Sequence, residues 1–380
     1  MSFATLALIC AAGLVGPILA TPRRWYVPIL IGEFAAGVAL GRTGAGALQA
    51  QNATFTFLAN IGFALIMFVA GSQVPIRDTR VRRSLRTGAT RAAAVAVGAV
   101  ALGIVLAAAF STGHAWLYAV LLASSSAALV LPLLSSMGLL GPASLATISQ
   151  VAIADTAGIV ALPLAIDPSR AGRAALGALA VTGATVVVWL ALRQAEASGA
   201  RKRVHQLSER RHFALELRVS LLVLFALAAL AVATHVSVLL AGFGLGLAVG
   251  AVGEPRRLAH QLFALTEGFF GPLFFVWIGA SLNLRALGAH PKYVLLGLAL
   301  GAGAVAVHAA MRLTGQPLTL AVTTAAQLGV PVAAVALGTQ RNLLRPGEPA
   351  ALLLGALVTI AAASGAAAIE GKHNRASESA

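Results

Sequence analysis

The sequence predicts an all-α integral membrane protein of about thirteen transmembrane helices, arranged as two inverted six-helix repeats with helices 5 and 12 broken. Three observations carry this. Of 380 residues, 59% are hydrophobic and only 10% charged, with a mean hydropathy of +0.88, whereas a water-soluble chain carries about 25% charged residues. The apolar residues run continuously for about 20 positions at a time, enough to cross a bilayer core of about 30 Å as helix. They do not alternate, as the strands of an outer-membrane barrel would. Finally, when thirteen spans are drawn, twenty of the 27 Lys and Arg fall in alternate loops and at the C-terminus, the asymmetry of the positive-inside rule. A missed or extra span would scramble it.

In order, the spans lie at about 3–20, 26–41, 53–74, 87–110, 115–138, 143–166, 171–193, 215–235, 237–252, 263–283, 292–313, 317–340 and 348–369. The first has no Lys or Arg before its apolar run and Arg23 and Arg24 after it, the reverse of a cleavable signal peptide. It therefore reads as a helix with its N-terminus outside. The basic clusters after the odd spans place the C-terminus in the cytoplasm. Residues 194–214 read as a cytoplasmic linker between two six-helix halves, with the seventh span as connector. Its positive run is topological in the plainest reading, with contact to anionic lipid as the second. Residues 371–380 are short and polar and read as a disordered tail.

The function classes narrow accordingly. The net charge of +15 does not point to nucleic acid, because no soluble segment is long enough to form a basic domain; the lipid bilayer is the partner implied. The single Cys10 excludes an intramolecular disulfide framework and a cysteine-based metal site. No Gly-x-Ser-x-Gly elbow, His-Glu-x-x-His pair or Walker loop is present, so neither an enzyme nor a cofactor is predicted. Trp25, Tyr26, Trp116, Tyr118 and Tyr293 fall near span ends and read as an interfacial belt.

Ionisable side chains at membrane depth cost about 2.5–3.5 kcal/mol on insertion scales, which makes each a functional hypothesis. Asp155 lies mid-way along the sixth span with Thr156 beside it. A lone carboxylate there can be neutralised by a proton or by a cation, the minimal chemistry of an exchanger; the plainer reading is a protonated Asp bonded between helices. The fifth span carries Ser124, Ser125 and Ser126 ahead of Pro132. Proline removes a backbone donor and serines offer competing bonds, so the helix either unwinds there or kinks. The twelfth span has a matching interruption, Gln327 to Pro331, and paired broken helices in corresponding positions mark an inverted-repeat transporter. Glu33 in the second span and Glu267 at the start of the tenth are pathway candidates against a helix-packing reading. His308, one turn from Arg312 and near the cytoplasmic end of the eleventh span, is a possible relay or a satisfied histidine.

Together these segments resemble the monovalent cation:proton antiporter family, in the branch of bacterial sodium/proton exchangers and potassium-efflux systems. Gly32 to Gly41 is similar to that family's second helix, Leu58 to Gly71 to its third, and the serine run through Pro132 to its broken helix. Asp155 resembles its ion-binding aspartate, and Phe269 to Leu282 its tenth helix. The resemblance runs in order from about residue 3 to 366. It implies an exchanger domain over residues 1–370, with scaffold helices within 3–74 and 215–283 and core helices within 87–166 and 292–369. It also implies a homodimer in a bacterial inner membrane. Residue by residue it puts the transported cation and proton on Asp155, Thr156, Ser125 and Ser126, the only metal contact being that monovalent cation at Asp155.

The departures are specific. The family places Asp or Asn before the site aspartate, and here stands Ala154; its eleventh-helix lysine falls at about Ala302 or Gly303, with His308 too near the cytoplasmic end to be an obvious substitute. Leu328 and Val330 replace its twelfth-helix Arg-Gly-Glu pattern. The expected function is antiport of sodium or potassium against protons by alternating access of a one-aspartate site, electroneutral because one charge moves each way. The alternative is a family derivative that no longer transports and acts as a membrane scaffold or receptor, or a carrier of another small solute.

Overall fold

The computed structural model describes residues 1–21, 29–74, 77, 79–136, 142–211, 213–253 and 256–378. Arg23, Arg24, Trp25 and Tyr26 lie outside the described residues. The described chain is helical throughout, in the order α1 (Phe3–Gly13), α2 (Val15–Ala20), α3 (Ile29–Leu40), α4 (Ala53–Ser72), α5 (Thr79–Ala109), α6 (Ala115–Ala123), α7 (Ala127–Ser136), α8 (Pro142–Ile166), α9 (Ala171–Ala197) and α10 (Ala200–Arg211). There follow α11 (Leu215–Ala233), α12 (Val238–Val252), α13 (Arg256–Leu265), α14 (Gly271–Ser281), α15 (Leu284–Ala289), α16 (Pro291–Ala309), α17 (Leu318–Thr323), α18 (Gly329–Gln340) and α19 (Glu348–Glu378). A π-helical turn, Thr266–Phe270, joins α13 to α14, and a 3₁₀ turn, Ala310–Thr314, ends α16.

Among the described residues, 9 helices or near-continuous helix pairs are long and apolar enough to cross a membrane, and Ile29–Leu40, Ala115–Leu131, Val238–Val252 and Gly329–Thr339 are shorter apolar stretches. Two of the short stretches are short because they contain or follow a break. α6 stops at Ala123 and α7 starts at Ala127; α17 stops at Thr323 and α18 starts at Gly329. Both halves of the sequence therefore contain an interrupted helix. Residues 371–378, read from sequence as disordered, continue α19; no proline follows Pro349 to stop that helix.

The helices form two compact units, each drawn from both halves of the sequence. The first comprises Met1–Thr21, Pro28–Arg77 and Gly172–Ser281; the second contains Asp78–Ala171 and Leu282–Ala380. In the first unit α4 packs on α12 and α3 on α14. With no hydrophobic drive between helices in lipid, such seams depend on close backbone approach over small residues. A Cβ on Gly242 or Gly246 would meet the Ala64 or Phe68 carbonyl, and one on Gly37 the Val276 carbonyl. Helix starts are locally encoded as well: Asn52 caps α4 through Oδ1 to the Thr54 and Phe55 N–H, at 3.1 and 3.2 Å. In the second unit α5 packs on α6 and α8, and α16 on α19.

Candidate functional site

The site is built where the two breaks of the second unit meet. After α6 the backbone at Ser124 turns extended, with ψ 151°, and its Oγ donates to the Leu121 carbonyl at 2.9 Å. Consecutive serines make such local bonds at the expense of the helix ladder. The Ser126 carbonyl accepts from Leu129 and Val130 N–H and so heads α7. Ala127, at the first position of α7, has no intrahelical acceptor for its N–H, and donates instead to Asp155 Oδ2 at 2.8 Å. The Asp155 carboxyl, 4% exposed in α8, thus sits at the positive end of a half-helix, where negative charge is favoured.

The second break supplies the other wall. Ser125 Oγ donates to the Thr324 carbonyl, tying one break to the other. The Thr324 hydroxyl donates to the Ala321 carbonyl at 2.7 Å and lies 2.8 Å from His308 Nδ1. That hydroxyl has one proton, so Nδ1 is the donor of the second bond. Nε2, in a fully buried ring, has no hydrogen-bond partner among the described residues. Gln327 donates its backbone N–H to Thr359 Oγ1 of α19 at 3.3 Å, and its buried Nε2 is likewise without a partner among the described residues. An apolar cleft of about 580 Å³ between α5, α6 and α8 reaches Ala154 and Gly158, which flank Asp155 along α8.

Asp155, Ser125, Ser126, Gln327 and His308 therefore belong to one unit and to the surroundings of the crossing. Thr156 does not join the carboxylate: its hydroxyl donates to the Ala152 carbonyl of its own helix at 2.8 Å. His308 differs from its sequence placement. The α-helix gives way to 3₁₀ just after it, but the ring is wholly buried against the second break. Pro132 also differs, because the break precedes it and it stands inside α7. Glu33 and Glu267 lie in the first unit. Glu33 is buried in α3, Glu267 lies in the π turn, and the two carboxyls are within electrostatic reach of each other.

A second polar cluster was not anticipated from sequence. Glu348, fully buried at the start of α19, accepts from Tyr118 Oη at 2.6 Å and from Arg345 N–H at 2.9 Å, and pairs with His114 Nδ1 at 2.7 Å. Tyr118 and Tyr293, read as belt residues, are 0% and 2% exposed. Tyr118 turns inward because its hydroxyl finds a carboxylate there; Trp116, 58% exposed, stays at the surface. An acid following Pro346-Gly347 and opening an apolar run is a helix-start signal, but nothing local announces partners more than 200 positions away.

A sequence model of the family described as sodium/hydrogen exchanger, transmembrane, matches residues 7–367. The chain belongs to the sodium/hydrogen exchanger family. It is similar to the Na(+)/H(+) antiporter NhaS5 of Synechocystis sp., 27% identical over 273 residues, and this match covers 70% of the chain but 38% of that longer relative. In fold it is similar to the sodium proton antiporter MjNhaP1 from Methanocaldococcus jannaschii, solved at pH 8, with a TM-score of 0.66 and 15% identity over 97% of each chain. This sodium/hydrogen exchanger family member is thus an integral membrane protein of a transporter family, with an all-helical antiporter fold.

Proposed function

We propose that this protein exchanges a monovalent cation, sodium or potassium, for protons, with Asp155 as the group both ions occupy in turn. One observation supports the reading above others. A carboxylate offers about four lone-pair sites, and among the described residues Asp155 receives one donor, the Ala127 N–H. The remaining lone pairs are open to a proton or a cation, and the half-helix N-terminus keeps the charged form accessible without neutralising it. Ser125 and the Thr324 carbonyl contribute the oxygen surroundings at the crossing, and His308 and Gln327 hold the second break in place. Thr156 acts within its own helix.

The unit carrying Asp155 acts as the core that presents the site alternately to either face, and the first unit, with Glu33 and Glu267, as scaffold and vestibule. Thirteen crossings place the N-terminus outside and the C-terminus in the cytoplasm, in a bacterial inner membrane and as a homodimer. One carboxylate carrying one charge each way makes the cycle electroneutral.

The test is cation-induced proton release from acid-loaded proteoliposomes containing a pH dye, comparing wild type with Asp155→Asn across sodium, potassium and lithium. Dye recovery with wild type alone establishes exchange, its site and its ion. Silence from both, in protein shown to be folded and inserted, overturns the proposal and leaves a non-transporting derivative or a carrier of another solute.

A further inference from the structure

We propose that α10 is a surface helix that docks on the anionic phospholipid headgroups of the membrane the protein spans. This does not depend on cation exchange. It starts from connectivity: α10 follows α9 after Ser198 and Gly199 alone, with Gly199 at φ +68°, and precedes α11 by three residues. Both α9 and α11 are of membrane-crossing length and hydropathy. A helix tethered this tightly at both ends cannot leave the membrane surface, and its twelve residues span about 18 Å.

One side of α10 is fixed to the protein. Ser208 is fully buried and its Oγ accepts from the Leu215 N–H at 3.1 Å. Arg201 donates to the Gly253 carbonyl, just beyond the end of α12, and pairs with Glu196 at 3.2 Å. The adjoining face carries Arg203, Val204, Leu207 and Arg211, all exposed, which at 100° per residue fall within an arc of about 100°. Val204 and Leu207 are 41% and 47% exposed, and the nearby Phe213 43%. Lys202 is also exposed, and Glu209 is the only acidic residue in α10.

A stripe that mixes cations with exposed apolar side chains is poorly suited to water and well suited to the boundary of headgroups and acyl chains. Its charge selects the partner. Cations at a membrane surface each gain about fivefold in binding from an anionic leaflet and nothing comparable from a neutral one. The Arg193 guanidinium stacked 5.6 Å over the Trp189 ring near the end of α9 supplies a tryptophan at the level where interfacial aromatics settle.

The experiment is hydrogen exchange of the full-length protein in nanodiscs of neutral phosphatidylcholine and of phosphatidylcholine with about one-third phosphatidylglycerol. Amides of 200–213 are expected to exchange at least tenfold more slowly in the anionic discs, the difference shrinking in 1 M salt, where the Debye length falls to about 3 Å. In K202Q/R203Q/R211Q the lipid dependence is expected to vanish while α4 peptides exchange as in wild type. Equal exchange of 200–213 in wild type in the two lipids overturns the proposal, whether or not the triple variant folds.

Discussion

Two buried carboxylates in the second unit make a contrast at the scale of single residues. Glu348 is met by His114, Tyr118 and the Arg345 N–H, whereas among the described residues Asp155 is met by the Ala127 N–H alone. A carboxylate with its lone pairs filled by the protein is structural; one left mostly open has capacity for an ion. Removing Glu348 strands three donors, so Glu348→Ala is expected to destabilise the protein by about 3–5 kcal/mol. Tyr118→Phe, which removes one donor and leaves two, is expected to cost about 1–2 kcal/mol. Thermal unfolding in detergent checks the order, and equal losses for the two variants would show that Glu348 does not organise the cluster. Asp155→Asn, by contrast, keeps the acceptor for Ala127 and is expected to leave the unfolding temperature within a few degrees of wild type.

At the scale of elements, the crossing of the two breaks depends on the bond from Ser125 to the Thr324 carbonyl. Ser125→Ala leaves that buried carbonyl without this donor, a penalty of about 1–3 kcal/mol. A loss of that size at the crossing is expected to slow exchange in proteoliposomes by about five- to a hundredfold, and an unchanged rate would show that the two breaks do not need to be tied. Both interruptions were legible in the sequence because serines and prolines leave local marks on an apolar run. Their positions were less so. Proline drew attention to Pro132, but the helix opens earlier, where Ser124 and Ser125 find carbonyls to bond. His308 looked peripheral because counting along α16 measures distance to its end, and cannot see that Thr324 folds back beside the ring. The Glu348 cluster was invisible for the same reason: His114 and Tyr118 lie more than 200 residues before Glu348 and meet it only when α6 and α19 are assembled into one unit.

At the scale of the whole molecule, local hydropathy identifies most of the spans but not their grouping, since each unit takes helices from both halves of the chain. The grouping places Asp155 in a unit where, among the described residues, it faces one backbone donor and no bonded cationic side chain, and this sets what a transport cycle can do. If one carboxylate takes either a proton or a cation, the two ions compete, and protons displace the cation as pH falls. Below the site's pKa the apparent KM for the cation is then expected to rise about tenfold per pH unit, with the maximal rate changing far less. The charge on the site is the same whichever ion it carries, so neither the inward nor the outward passage moves net charge. Exchange is therefore expected to be unaffected when a potential of about 100 mV, set by an ion the protein does not carry, is imposed on proteoliposomes, although a single uncompensated charge would be biased by about 2.3 kcal/mol. A current on a supported bilayer that grows with transport rate would show that a second charged group takes part. His308 is the first residue to replace in that case, because its ring is wholly buried at the crossing itself.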